Sequence, residues 1–503
     1  MAQYVMGVDN GGTVIKAALF CLDGTETAVA AQSTPVFSPR PGYQERDMEE
    51  VWRANCACIR QVIKQSGISP RDIAALAVCG HGKGLYLWGK DGKPAYPGIA
   101  STDNRAWSYP LHWEETGVFD RLYPQLCQKQ LACQPSALLA WMKEHEPEVY
   151  QNIRWVFSIK DYIRFRLTGI AHSERTDLSG SGLMDVSRGQ IDPALLEALG
   201  IAETANMLPP MCGSFDLCGH VTDEAAEQTG LCPGTPVAGG MFDIDACAVA
   251  MDITSPDQLC TITGTWSINE FISPQPKLNT QVSMNSLYAI PGYYLLEECS
   301  PTSAGNLDWV LEQLAGGLKL PQDKPLYDGV NQLVSSIPPE DCQVYYLPFL
   351  YGSNAHPLAK ASFLGLTNYH SAAHMLRAVF EGVAFSHKVH IDRLLSARTP
   401  PEIVRMAGGA ARSPVWVQMF ADVLGLPVQR TAGVRELGAL GSAIAAAVAA
   451  GLYPGYDQAV QAMVRTGEPV WPDPAAHAVY LEKFETYQAI SAAMDTVWDR
   501  FKV

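Results

Sequence analysis

Two stretches of this chain repeat one device about half a chain apart. The first runs Val5-Met6-Gly7-Val8-Asp9-Asn10-Gly11-Gly12-Thr13 and resumes as Val14-Ile15-Lys16-Ala17-Ala18-Leu19-Phe20. The second is Leu259-Cys260-Thr261-Ile262-Thr263-Gly264-Thr265-Trp266-Ser267-Ile268-Asn269. In each, an apolar run leads to a Gly-Thr tip and apolar residues then resume, which predicts a β-hairpin with its polar groups at the turn. Glycine at such a tip lets backbone N–H groups approach an anion closely. A phosphate there would find Gly11, Gly12 and Thr13 as donors and Lys16 as a positive partner, with Asp9 able to hold a metal ion through water. One such hairpin is as readily an ordinary turn; the second, far downstream, favours a pair of phosphate loops.

Composition limits what such a pair can belong to. With 503 residues, 47% of them hydrophobic, the chain can bury a large core and is expected to form two to four domains. No stretch reaches the length of a membrane span without charge or turn residues. The most apolar window, Leu437 to Leu452, is rich in Ala and Gly and reads as a tightly packed interior helix. A net charge of −16 repels a nucleic-acid backbone, while a few local donors still suffice for a phosphorylated cofactor. The 13 cysteines, and a first strand that begins almost at Met1 and leaves no room for a signal peptide, point to a reducing cytoplasm. Cys56 and Cys58 are the only close pair, on an apparent helix; no CxxC spacing supports zinc.

Along the chain, residues 1 to 37 read as strands. A helix opens near Asp47, with Glu50 three residues on, and runs to about Ser66. Ile73 to Cys79 is a buried strand ending in Gly80-His81-Gly82-Lys83-Gly84, and the carboxyl end of such a strand is where an open α/β sheet places its ligand. Asp103 and Arg105 follow another strand-like segment and are candidates for the same cleft, with a surface ion pair as the alternative. Residues 136 to 145 and 159 to 167 are helical, the latter with an apolar face in the core, solvated charges and Asp161 as a weak cleft candidate. In Thr235 to Cys247, two glycines end a strand and Asp243 stands at the turn into an Ala-rich helix. A general base needs such reach; Asp243 and Asp245 as a helix N-terminal pair are the plainer reading.

The hairpins, with Met406-Ala407-Gly408-Gly409-Ala410-Ala411-Arg412-Ser413-Pro414-Val415-Trp416, resemble in kind and order the two phosphate loops and adenosine loop of the actin, Hsp70 and sugar-kinase superfamily. Across essentially the whole chain the sequence is similar to the FGGY family of carbohydrate kinases. The runs that carry this include Gly82-Lys83-Gly84-Leu85, Ser300-Pro301-Thr302-Ser303-Ala304-Gly305-Asn306-Leu307 and Leu347-Pro348-Phe349-Leu350-Tyr351-Gly352-Ser353-Asn354-Ala355. Within the family the resemblance is strongest to bacterial L-xylulose kinases.

What the resemblance implies is an α/β fold of two actin-like (ribonuclease H-like) domains flanking a deep hinge cleft. Residues 1–250 form the sugar side with the first phosphate loop, and 251–503 carry the second phosphate loop and the adenosine loop. The cofactors implied are ATP and Mg²⁺, and the reaction is transfer of the γ-phosphate to a ketopentose, L-xylulose foremost. Asp243 is the implied base, and Asp9 orients Mg²⁺ through water. Gly11, Gly12, Thr13, Lys16, Gly264, Thr265, Gly408, Gly409 and Ser413 bind nucleotide, and His81, Lys83, Asp103, Arg105 and Asp243 bind the sugar. Departures from the family pattern are Lys83 and His81 in place of its frequent residues, Ser101 for a Trp, Gln134 for an aromatic wall and Trp266 for a small residue. They leave D-xylulose, L-ribulose, erythritol or glycerol as alternative substrates. A nucleotide-gated binding protein of the same superfamily is the alternative class; Asp243 and the lack of an appended binding module argue against it. No nucleic-acid or membrane partner is expected, and a homodimer is compatible with this reading.

Overall fold

The computed structural model describes residues 4–264, 266–278, 280–282, 284–314, 325–354 and 356–501. Thr265, expected in the second phosphate loop, lies outside the described residues.

Seven strands form the first sheet: β1 (Tyr4–Asn10), β2 (Val14–Cys21), β3 (Glu26–Ser33), β4 (Ile73–Gly80), β5 (Leu217–His220), β6 (Pro236–Ala238) and β7 (Met241–Phe242). Their order is β5-β6-β4-β1-β2-β3, with β7 also paired to β4. Six strands form the second: β8 (Gln258–Thr263), β9 (Ser267–Ser273), β10 (Met284–Leu287), β11 (Tyr294–Ser300), β12 (Ile403–Gly408) and β13 (Val428–Arg430), in the order β10-β11-β9-β8-β12-β13. Each sheet therefore has a central strand, β1 or β8, joined by a tight antiparallel hairpin on one side and a parallel strand, β4 or β12, on the other. Both Gly-Thr stretches are hairpin tips, as their patterning requires.

Helices cover the sheets in three layers. Helix α1 (Met48–Ser66) starts where Asp47 accepts the Glu50 N–H at 2.7 Å and stops at Gly67, whose φ of 68° is left-handed. Its inward residues, including Val51, Trp52, Ile59 and Val62, recur at helical spacing against the first sheet. Helix α2 (Ile159–Thr168) packs on the same side. Helix α3 (Asp243–Ala250) lies in a core shared by both sheets. Helices α4 (Ala372–Leu395) and α5 (Pro414–Leu424) cover the outer face of the second sheet. Helix α6 (Leu437–Ala449) joins α3 in the shared core, so the chain's second half returns to pack on the first sheet.

That central layer explains the Ala and Gly of α6. A methyl added at Gly7 would lie 1.7 Å from the Ala439 carbonyl oxygen, and one at Gly441 would lie 2.0 Å from that of Ala246. Two helices pressed between two sheets leave no room for branched side chains at these crossings.

One expectation fails in this layer structure. The charges of α2 are not solvated: Lys160, Asp161 and Arg164 are buried. The Lys160 ammonium lies 3.0 Å from Asp161, 3.2 Å from Glu174 and 3.5 Å from Asp177, and Arg164 lies 2.9 Å from Asp161. Charges survive burial only when partners neutralise them. Helical periodicity could not reveal that Glu174 and Asp177, from another segment, supply the neutralisation.

Candidate active site

At the first tip, β1 and β2 place Asp9 directly across from Lys16. The Lys16 ammonium sits 2.7 Å from Glu436, the residue before α6. Gly12 and Thr13 are exposed beyond the last pair, Asn10 with Ile15; a Cβ at Gly12 would meet nothing within 4 Å, while the Thr13 carbonyl accepts the Thr34 N–H at 2.9 Å. Behind them the fully buried Arg46 donates to the Gly11 carbonyl at 3.4 Å and to Thr34. Gly438 brings the start of α6 against Asp9: a Cβ there would lie 2.9 Å from its carboxylate. Burial pushes the Asp9 carboxyl up to about 6 even though Lys16 opposes the shift.

Asp243 opens α3 one residue after β7. The turn before it is closely packed: a Cβ at Gly239 would lie 2.1 Å from the Gly213 carbonyl oxygen, and one at Gly240, with φ 71°, 1.9 Å from that of Val78. Asp243 is half-buried, and its carboxylate accepts the Ile244 N–H. Burial, then the negative charges of Asp9, Asp177 and Glu297, hold it well above the usual carboxylate range. Asp245, two residues on, is turned into the core, with 0% exposure. One of its oxygens accepts the Ala289 N–H at 2.8 Å and the other has no partner. The paired charges under α2 support this turn from behind. Thr176 accepts the Phe242 N–H at 2.9 Å and donates to Glu174 at 2.6 Å, and burial raises Asp177 to about 7.

Lys83, half-buried, occupies the turn after β4 with a φ of 64°; burial works to lower its pKa, but negative charges, Glu297 foremost, leave it raised. His81 does not brace it directly: the ring contacts the Tyr86 hydroxyl at 3.1 Å and the Gly82 carbonyl at 3.2 Å. Burial, and then Arg46, lower His81 to about 4, so the ring is neutral at physiological pH.

Asp103 and Arg105 are bound to one another, with guanidinium contacts of 2.9–3.1 Å. Arg105 also reaches Glu45 at 2.8 Å and lies 4.1 Å over the Tyr43 ring. The pair is buried, not a surface bridge, and its segment reaches the Lys83 turn through the backbone: Asp103 donates its N–H to the Ala100 carbonyl at 3.1 Å, and a Cβ at Gly84 would lie 3.3 Å from the Ser101 nitrogen. Gln134 is likewise a clasp: its amide bonds Gln128, the Gly180 carbonyl and the Leu131 N–H.

The second tip gathers the other glycines. Gly409 donates its N–H to the Thr263 carbonyl at 2.8 Å, Gly305 donates to Gly264 at 3.3 Å, and a Cβ at Gly408 would lie 2.5 Å from Thr263. Ser413 caps α5 by accepting the Trp416 N–H at 3.1 Å and donates to Asn331 at 2.6 Å. Beneath the tip, His387 holds Thr261, Ser267, Asn269 and Ser303 at 2.8–3.0 Å. Burial lowers its pKa well below the ordinary histidine value, so this network is uncharged.

Sequence reasoning missed Arg46, Glu297, Glu436 and the Glu174–Asp177 partners of α2. Glu297 left a signal, standing with Glu298 at the end of the apolar run Tyr293-Tyr294-Leu295-Leu296. Glu436 left one too, immediately before an uncharged interior helix.

Two sheets of one topology, each presenting a glycine hairpin beside a shared helical layer, define the two-domain actin-like ATPase fold. Models of the FGGY family of carbohydrate kinases match the N-terminal domain over residues 4–250 and the C-terminal domain over 259–450. The chain belongs to that family, and its activity is ATP-dependent sugar phosphorylation. It is 38% identical to the L-xylulose/3-keto-L-gulonate kinase of Escherichia coli K12 over 503 residues, covering 100% of this chain and 99% of that one. It is 37% identical to a probable L-xylulose kinase of Pasteurella multocida, covering 98% and 99%. The xylulose kinase structure from Rhodospirillum rubrum superposes with a TM-score of 0.84 at 28% identity, covering 99% of this chain and 100% of that one.

Proposed function

We propose that this kinase phosphorylates a ketopentose, L-xylulose foremost, to give L-xylulose 5-phosphate, with Asp243 as the general base. The observation that carries the assignment is the opposed placement of two carboxylates on one helical turn. Asp243 stands partly open among groups from both sheets, whereas Asp245 is sealed in the core. The choice of sugar rests on the relatives named for L-xylulose.

Asp243 holds the attacking hydroxyl and takes its proton, its burial and negative neighbours making it a strong acceptor. Lys83, with neutral His81 behind the same strand end, orients the sugar. Asp103 and Arg105, engaged with one another, support the sugar-side loop. The Gly11, Gly12 and Thr13 backbone and Lys16 receive the terminal phosphate, Gly264 and Thr265 face the remaining phosphates, and Gly408, Gly409 and Ser413 border adenosine. Positioning and charge neutralisation supply most of the rate in such transfers.

The donor set suits Mg²⁺. Asp9 offers one carboxylate beside the first tip, which suits an ion that keeps its waters and binds largely to phosphate. When bound, the ion neutralises the terminal phosphates. Closure of residues 1–250 and 251–503 over the sugar excludes water. We place the reaction in the cytoplasm without a nucleic-acid partner; among the described residues no helix is long and apolar enough to cross a membrane. The homodimer expectation is read by sedimentation of the purified enzyme.

The experiment is ADP release with a panel of L-xylulose, D-xylulose, L-ribulose, erythritol, glycerol and 3-keto-L-gulonate. L-Xylulose is expected to show the highest kcat/KM. A higher value for another member of the panel replaces the substrate while leaving the class.

A further inference from the structure

A groove of about 430 Å³ opens between α1, α2, the strand Tyr86–Gly89 with the turn after it, and the helix Asp223–Thr229. It shares no residue with the candidate active site. Its walls include the buried Trp52 and the half-buried Trp88 and Phe165. Arg166 is its inner cation: the side chain is 14% exposed, and the guanidinium lies 4.9 Å over the Trp52 ring and 5.8 Å from the ring centre of Trp88. At about 3.6 residues per turn, Phe165 and Arg166 leave α2 on the side away from Lys160, Asp161 and Arg164, the charges that support the Asp243 turn.

The polar groups of the groove divide into those already bonded and those with capacity left. Arg166 uses only Nη1, which donates to Glu49 at 2.5 Å and to the Tyr162 hydroxyl at 2.8 Å. Among the described residues neither Nε nor Nη2 has a partner, and both remain open to solvent. The Lys93 ammonium is also unpartnered among the described residues, while its backbone is fixed beside Trp88: its carbonyl accepts the Gly89 N–H at 2.7 Å, and Pro94 bridges to Trp88. Gln228 accepts the Trp52 indole N–H at 2.6 Å and donates to Glu224 Oε1 at 3.3 Å. The other oxygen of Glu224 has no partner among the described residues. The groove therefore keeps donors from two cations and an acceptor from one carboxylate.

We propose that this groove binds a phosphorylated polyhydroxy compound. Its phosphate accepts from Arg166 Nε and Nη2 and from Lys93, a hydroxyl donates to Glu224, and its carbon face lies against Trp88 and Phe165. A guanidinium presents parallel N–H groups that match two phosphate oxygens, and stacking on an indole holds that fork in one plane before the anion arrives. An ionised carboxylate only accepts, so Glu224 selects a ligand that carries a hydroxyl and disfavours bare phosphate. Sugar phosphates and nucleoside monophosphates both have this chemistry. The site goes beyond phosphoryl transfer in the cleft and stands whichever sugar is the substrate.

The test is titration calorimetry with ADP and L-xylulose saturating and Mg²⁺ removed by EDTA, so that the cleft is filled and does not turn over. The probes are D-ribose 5-phosphate, adenosine 5′-monophosphate and inorganic phosphate. At least one of the two esters is expected to bind the parent, more tightly than inorganic phosphate. Arg166→Met weakens that binding about tenfold to a hundredfold, the effect of losing hydrogen bonds to a charged group. Arg166→Lys, which keeps the charge without the fork, does not restore it, and Lys93→Met and Glu224→Gln each weaken it severalfold. ADP affinity stays parental in every variant. If Arg166→Met does not fold, Arg166→Lys and the variants at the exposed Lys93 and Glu224 read the same site. Absence of ester binding to the parent, or equal affinity in the parent and the Arg166 variants, overturns the site. Inorganic phosphate binding as tightly as the esters overturns the polyhydroxy class. The tighter of the two esters identifies the source, sugar phosphate or nucleotide.

Discussion

In the first sheet the position four residues before the tip threonine is Asp9, facing Lys16, whose ammonium binds Glu436 at 2.7 Å. In the second sheet the corresponding position is Thr261, paired with Asn269 and bonded at 2.9 Å to the neutral ring of His387. The hairpins occupy the same place beside the central strand of each sheet, but one is built on charge and the other on hydroxyl, amide and imidazole groups. The fold is nearly two-fold while its chemistry is one-sided. On the proposed reading, the charged tip handles the metal and the transferring phosphate, where charge changes during reaction. The neutral tip holds nucleotide by directional donors, which a rigid uncharged network keeps in place.

The strongest break in that comparison is at Asp243, beside the charged tip. Asp243→Asn is expected to lower kcat by about 10²- to 10⁴-fold, the range for removing a general base, while nucleotide titration remains parental. Asp245→Asn acts differently: the side chain is sealed in the core on the far side of the turn from the cleft, so the folded variant is expected to turn over near the parental rate. A dead Asp245 variant beside an active Asp243 variant reverses the assignment.

Asp9→Asn is the next largest. Losing a carboxylate that acts on an ion through water is expected to raise the Mg²⁺ needed for half-maximal rate about 10- to 100-fold. The KM for sugar stays near the parental value. In the ligand-free protein burial raises the Asp9 carboxyl from 3.8 to about 6. The native state binds the extra proton between these two values, so the stability contributed by Asp9 is full below 3.8 and is lost as pH rises through about 6. The ligand-free Asn variant therefore melts higher than the parent at pH 8, and this advantage vanishes at pH 3.5. A lower melting temperature at pH 8 contradicts the burial argument.

His387→Leu sharpens the contrast from the neutral side. Hydroxyl and amide groups left unpaired beneath the second tip each cost about 1–3 kcal/mol, so the melting temperature falls. The KM for ATP is expected to rise severalfold with no change in the Mg²⁺ requirement. An altered Mg²⁺ requirement would place this network on the metal side and dissolve the distinction between the tips.

Much of this arrangement was readable along the chain, and the misses share a cause. The hairpins, the Asp47 cap, the strand ending before His81 and the glycine turn before Asp243 are local patterns of periodicity and turn chemistry. Lys160 and Arg164 were misread as solvated because their neutralising carboxylates arrive from a different segment. Arg105 was legible as an ion-pair partner of Asp103, but not its burial between Glu45 and Tyr43.

The sequence by itself determined the two hairpins, their order and the family they belong to, because backbone turn geometry and alternating burial are set by neighbours in the chain. Only the tertiary structure decided which of Asp243 and Asp245 is open and which charges are paired. Those depend on which segments meet in the interior, where low polarity makes each distant partner decisive for the charge it faces.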